Sequence, residues 1–278
     1  MDKIKLVLEG IYKRKELRKR VVPIFMGDPG LGKTQIINEF VQFANDNKVN
    51  FVDFFGTTGI DPKLTEYIGS QISPLEVSGI GMPDADTKQM VYYNFNKLAS
   101  LKDGDILFFD ELPNSNPATL NSLLTLIEGR VMLSGDKLPD IMICAAGNYQ
   151  GMSPMTPQIK RRFMWYNVKF NSRMWVEFMK SKYSMPRNVG YKLARLIQSE
   201  EFDGYNFNTA ADLDKVTDMA IYEVPLPDEY REIVTVLDTL IENTEEGKIQ
   251  LADNVFLEPN ESISWLKLKK YQAGVLTN

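Results

Sequence analysis

Four short stretches carry residue types whose order and spacing suit chemistry on a phosphate. The first, GDPGLGKT (27–34), fits G-x-x-x-x-G-K-[ST] at every fixed position: Gly27, Gly32, Lys33 and Thr34. Glycines in such a turn let backbone N–H groups curl around phosphate oxygens, where a side chain would block the approach. The lysine then reaches the β- and γ-phosphates of a nucleotide, and the hydroxyl ligates Mg²⁺. The expected nucleotide-contacting residues are Gly27, Asp28, Pro29, Gly30, Leu31, Gly32, Lys33, Thr34 and Gln35. Glycine-rich turns with a lysine are common, so the flanks decide. Here the apolar run VVPIFM precedes the turn and the helically spaced QIINEFVQFANDN follows it, adding the positive end of a helix dipole.

A phosphate cradle alone hydrolyses nothing. ILFFDE (106–111) supplies the missing half, with four apolar residues leading into two acids. Asp110 suits a Mg²⁺ site, held through the ion's water shell, and Glu111 suits accepting a proton from an attacking water. A third stretch, IMICAAGN (141–148), ends in Asn148, and a fourth, QIKRRF (158–163), sets Arg161 beside Arg162. Taken singly, a strand-ending Asn in GNYQG is an ordinary turn residue, and doubled arginines are surface charge.

The elements that must position these residues follow from periodicity. DKIKLVLEGIYKRKELRKR (2–20) reads as a helix with Ile4, Leu8, Ile11 and Tyr12 on one face. Its basic run could bind anionic lipid or nucleic acid, and a solvated outer face is the simpler reading. Strands are expected over 21–26, 50–56 and 105–111, and helices over 35–47 and 117–130. VMLSG (131–135) reads as a hairpin strand, followed by a buried strand in LPDIMICAAGN (138–148). Residues 57–100 are rich in Gly, Pro and polar residues, with a short helix at most and a hairpin at MVYYNF (90–95). Alternating strands and helices predict an α/β fold, three layers around a mostly parallel sheet. Beyond about residue 170 the reading changes to helices over 173–183, 189–200, 210–223 and 227–243, with the final 30 residues open to either assignment. Two domains are expected: residues 1–170 as the α/β core, and 171–278 as a small helical lid with a C-terminal extension.

Composition narrows the chemistry. Among 278 residues there is no histidine, which removes His-based triads and His-ligated metals. The single cysteine, Cys144, sits in an apolar run, forms no internal disulfide and reads as core packing. A net charge of −5 repels a phosphate backbone, so any nucleic-acid contact must come from a local basic patch. No apolar run is long enough for a membrane span or a signal peptide, and a cytoplasmic location is expected.

In this order and spacing the four stretches resemble the AAA+ ATPases, and within them the MoxR-like and dynein-related group. The resemblance runs through most of 20–170. GDPGLGKT is similar to the Walker A loop, ILFFDELPNSNPATLNSLLTLIEGR (106–130) to Walker B and its following helix, and LPDIMICAAGN to the sensor 1 strand. MTPQIKRRF (155–163) is similar to the segment that carries an arginine acting on the neighbouring subunit. The resemblance implies a P-loop NTPase fold and ATP hydrolysis with Mg²⁺ at Thr34 and Asp110. It implies Lys33 on the phosphates, Glu111 as base and Asn148 as sensor 1. It further implies a homo-oligomeric ring, commonly a hexamer, with Arg162 (or Arg161) reaching the next subunit's γ-phosphate. Arg130 is a weaker interface candidate. A protein client is implied, such as a metal-adhesion (von Willebrand A-type) domain protein, and residues 57–98 match an insertion that either touches clients or is a surface loop. A nucleic-acid motor and a non-hydrolysing switch are the alternatives. The sequence departs from the family at the sensor 2 arginine: Ala211 occupies the expected position, with Arg187 or Lys215 as substitutes.

Overall fold

Strands with two apolar faces need cover on both sides, and the continuous apolar runs of this chain obtain it. A computed structural model describes residues 2–46, 63–68, 71–94, 96–132, 134–198, 210–242, 250–252, 255–256 and 262–276. The chain divides into two units, Met1–Lys169 and Phe170–Asn278. The first runs α1 (Asp2–Tyr12), α2 (Lys15–Arg20), β1 (Val22–Met26), α3 (Lys33–Asp46), β2 (Leu64–Ile68), α4 (Pro74–Ser78), β3 (Ile80–Pro83), β4 (Met90–Tyr93), α5 (Asn96–Ala99) and β5 (Ile106–Asp110). It continues through α6 (Pro117–Leu124), the π-turn Thr125–Gly129, β6 (Met142–Gly147), α7 (Pro157–Lys160) and β7 (Phe163–Asn167).

Among the described residues, five strands form one sheet in the order β2-β5-β6-β1-β7, and every pair is parallel. One face packs Ile24, Leu107, Phe109 and Ile143 against Leu120, Leu123, Leu126 and Ile127 of α6 and the π-turn. The other packs Phe25, Phe108, Cys144 and Ala146 against Leu8 and Tyr12 of α1 and Ile37 and Phe40 of α3. The result is the three-layer fold of a P-loop NTPase, with Cys144 fully buried as packing.

Several elements differ from their sequence expectation. The helix expected over 2–20 breaks into α1 and α2, because Arg14 adopts an extended conformation and its guanidinium binds the Gly10 carbonyl at 2.9 Å. The break carries Arg18 of the basic run into the interior, where it is fully buried and pairs with Asp140 at 3.1 Å. Inside the segment expected to be irregular, β2 joins the central sheet. It is half-buried and outermost among the described strands, with Thr65 and Tyr67 inward and Tyr67 stacked on Phe109 at 5.8 Å. The short helix and the hairpin foreseen there appear as α4 and β3–β4. The strand foreseen over 131–135 is a single bridge between Val131 and Lys137. The strand expected over 50–56 lies outside the described residues.

The second unit contains α8 (Ser172–Tyr183), α9 (Arg187–Gln198), α10 (Ala210–Ile221), α11 (Arg231–Leu237), β8 (Leu240–Glu242), β9 (Gln250–Ala252), β10 (Val255–Phe256), β11 (Ser262–Ser264) and α12 (Trp265–Gln272). Its core gathers Val176, Met179, Leu193, Val216, Ile233 and Leu237 around a fully buried Trp265. The helix expected over 227–243 stops at Leu237, and residues 240–242 instead pair antiparallel with β11. No described helix is long and apolar enough to cross a membrane.

Candidate active site

The register of the parallel sheet brings three strand ends together. Met26 lies opposite Gly147, and Phe109 opposite Ala145, so the residues leaving β1, β6 and β5 are neighbours. Ligands of open α/β sheets bind beyond such carboxyl ends. Gly27 turns the chain out of β1, and its N–H donates to the Gly147 carbonyl at 3.2 Å. A Cβ at Gly27 would stand 2.4 Å from the Val168 carbonyl oxygen, so no larger residue fits. Gly32 has φ +73, in the left-handed region that favours glycine, immediately before α3 begins at Lys33. The first N–H groups of α3 are therefore delivered to the loop.

Lys33 is 8% exposed and folds back over its own loop. Its ammonium donates to the Gly27 carbonyl at 2.9 Å, the Asp28 carbonyl at 2.7 Å and Asn148 Oδ1 at 2.9 Å. Burial lowers its pKa, opposed by the carboxylates of Asp110, Asp28 and Glu111. Thr34 Oγ1 donates to Asp110 Oδ2 at 2.6 Å. Two contacts thus join residues 76 and 115 positions apart. Asp28, Pro29, Gly30 and Gln35 are exposed, and Leu31 is half-buried.

Glu111 follows Asp110 at a backbone strained into the left-handed region, φ 50 and ψ 32, and its N–H donates to Asp110 Oδ1 at 2.9 Å. This turn begins a single 3-10 turn, Leu112–Asn114, so the chain leaves the sheet edge at once. Gly147 makes room for it: a Cβ there would meet Pro113 Cδ at 2.3 Å. Sequence reasoning missed Gly147, although a glycine directly before a candidate Asn is a readable sign of close approach. It also missed Glu66. In register with Phe108, Glu66 shares the sheet face that carries Asp110. Burial, then the charge of Asp110, raises its pKa, and Lys97 opposes this.

The arginines do not join this cluster. Arg161 and Arg162 form the link between α7 and β7; Arg161 is exposed, and Arg162 pairs with Glu128 of its own chain. Arg130, weighed above for an interface, is spent internally: its guanidinium donates to the carbonyls of Ile141 and Arg18. In the second unit Arg187 pairs with Glu177 at 2.8 Å and Lys215 with Asp212 at 3.6 Å, while Ala211 lies within α10.

The donor set fits a nucleotide with Mg²⁺. Among the described residues no three acidic, Cys or His side chains gather as a metal cage. Mg²⁺ commonly takes one or two carboxylates and completes its octahedron with phosphates and water. A touching hydroxyl and carboxylate beside a glycine-built loop supply that share.

Comparison with known proteins agrees. The sequence profile of the AAA domain (dynein-related subfamily) matches residues 23–163, half of the chain. No curated protein matches the sequence. Among solved structures, two point-substituted forms of RuvB from Thermotoga maritima are 17% and 18% identical, each with a TM-score of 0.52. The alignments cover 85% and 86% of this chain and 70% of each RuvB chain. At that identity the likeness is one of fold.

Proposed function

The chain belongs to the AAA domain family, dynein-related subfamily, and from that premise we propose that it binds Mg²⁺-ATP, hydrolyses it in a ring of identical subunits, and uses the cycle to remodel a protein partner. The convergence of Lys33 with Asn148 and of Thr34 with Asp110 carries this reading. Loop N–H groups and the start of α3 bind the phosphates. Lys33 exchanges the Gly27 and Asp28 carbonyls for phosphate oxygens, which suits an ammonium already gathered at the loop. Thr34 and Asp110 would hold Mg²⁺, whose charge would offset that of the phosphates. Glu111, held by its strained turn beside Asp110, takes the proton of the attacking water. Asn148 orients that water against the γ-phosphate once Lys33 releases it.

Arg162 completes the site from the neighbouring subunit. An always-charged guanidinium supplied in trans stabilises charge on the transferring phosphoryl group, and is worth about 10³–10⁵ in rate in other phosphoryl-transfer enzymes. Six subunits and a von Willebrand A-type client are the ring and partner proposed on family grounds.

The test is an ATPase assay on mixed rings. Glu111→Gln chains and Arg162→Ala chains are each expected to be inactive, with ATP binding retained. Mixing them restores part of the activity, because some interfaces pair an intact Glu111 with an intact Arg162. Rings that assemble yet stay inactive on mixing would rule out the trans arginine. Turnover that survives Glu111→Gln would remove the base.

A further inference from the structure

Resting on the reading of Arg162 as the trans arginine, we propose that Glu128 is its positioning residue, fixing the direction in which the guanidinium is presented to the neighbouring subunit. Glu128 accepts from Nη2 of Arg162. Arg162 is the more enclosed partner, its side chain 24% exposed against 54% for Glu128. Its Nε is buried with no hydrogen-bond partner among the described residues. With one edge held and Nε enclosed, the Nη1 protons and the second Nη2 proton remain for an incoming anion.

The place of Glu128 in the fold gives the pair its direction. Glu128 lies in the π-turn Thr125–Gly129, a widened turn of a kind frequent at functional sites. Leu126 and Ile127 anchor the turn in the core at 2% and 5% exposure. Arg130 pins its far end with a left-handed backbone, φ 52, and hydrogen bonds to two carbonyls. The chain runs from Glu111 through the 3-10 turn and α6 to this π-turn, so the candidate base precedes α6 and the partner of the exported arginine follows it. Arg162 is braced on its side as well. Its N–H donates to the Ile159 carbonyl at 3.0 Å, and Trp165 Nε1 caps the Lys160 carbonyl at 2.8 Å. Arg161 is exposed and makes no ion pair among the described residues, which singles out Arg162.

A free arginine samples many rotamers, and a guanidinium already held at one edge loses fewer of them on meeting a phosphate. An ion pair this exposed is weak, so it orients the arginine without withholding it.

The experiment extends the mixed-ring assay on the full chain. Glu128→Ala is expected to lower kcat about fivefold, with KM for ATP and the thermal midpoint unchanged. Mixed with Glu111→Gln chains, it should reach roughly three times the rate expected from dilution, because half of its intact sites then face a correctly held arginine. Damage passed along α6 to the chain's own Glu111 would not be rescued this way. Arg162→Ala mixed with Glu111→Gln runs in parallel as the control. If the control recovers while Glu128→Ala only dilutes, or equals the unsubstituted rate, the role of Glu128 is overturned and that of Arg162 stands. A rate above the unsubstituted one also overturns it, since Glu128 would then mask the arginine. If the control itself fails, the trans reading falls and takes the positioning role with it.

Discussion

Lys33 is a buried cation with three acceptors at 2.7–2.9 Å, two of them carbonyls of its own loop. Burial lowers its pKa, and three nearby carboxylates only partly offset this. The unfolded chain binds this proton more tightly than the folded one, so without nucleotide the fold gains stability as pH rises between the lowered value and the ordinary 10.5. Phosphate has the opposite preference, because it binds the charged form. ATP affinity should therefore be flat through neutrality and fall on the alkaline side, starting at a lower pH than an ordinary lysine would give. Nucleotide titrations paired with unfolding curves at stepped pH check both limbs, and Lys33→Met should remove both. Equal alkaline limbs in Lys33→Met and the parent would assign the titration to another group.

At the scale of elements, what the sequence revealed depended on whether a residue's partner lay nearby. Continuous apolar runs at 22–26, 106–109 and 142–147 are legible as buried parallel strands because both faces are covered. Strand β2 is not, since its alternation spans five residues inside a Gly- and Pro-rich segment. Thr34, Asp110 and Asn148 were legible through their motifs, whereas Glu128 and Arg162 sit 34 positions apart with nothing local to join them. Arg18 shows the same limit. It reads as one charge in a solvated run, yet it is fully buried, with Nε and Nη2 both on Asp140, 122 positions away. The pair fastens α2 to the start of β6, and Arg130 adds a bond to the Arg18 carbonyl. Removing one member of a buried pair costs about 3–5 kcal/mol because the other charge is stranded. Arg18→Met should lose about that much in denaturant unfolding, reduced only slightly by Lys15, whose ammonium stands 3.7 Å from Asp140. Arg18→Met combined with Asp140→Leu should be less destabilised than Arg18→Met alone. A double variant that is worse would mean that packing, rather than charge, is what α2 contributes.

For the whole molecule, charge bears on whether the proposed partner is a protein or a nucleic acid. The chain carries 32 Lys and Arg against 37 Asp and Glu, so its field repels a phosphate backbone, and only a concentrated basic patch could overcome this. The densest run is KRKELRKR, and the fold buries one of its cations, Arg18, and ties others to neighbours. Lys13 pairs with Glu9, Arg14 holds the Gly10 carbonyl, Lys15 faces Asp140 and Arg18 is buried. Arg14, Lys15, Lys19 and Arg20 remain exposed. Four phosphate contacts from this run would give a log–log salt slope of about −4, short of the 6–10 contacts that lose roughly 10³–10⁵ in affinity between 50 and 200 mM salt. Neither single- nor double-stranded DNA should then stimulate the ATPase, and binding should be weak and shallow in its salt dependence. Steady-state turnover with and without DNA, together with anisotropy titrations across that salt range, measures both. Stimulation accompanied by a steep slope would make the chain a nucleic-acid motor. A flat response would remove DNA as the stimulating partner and direct the search to proteins that raise turnover.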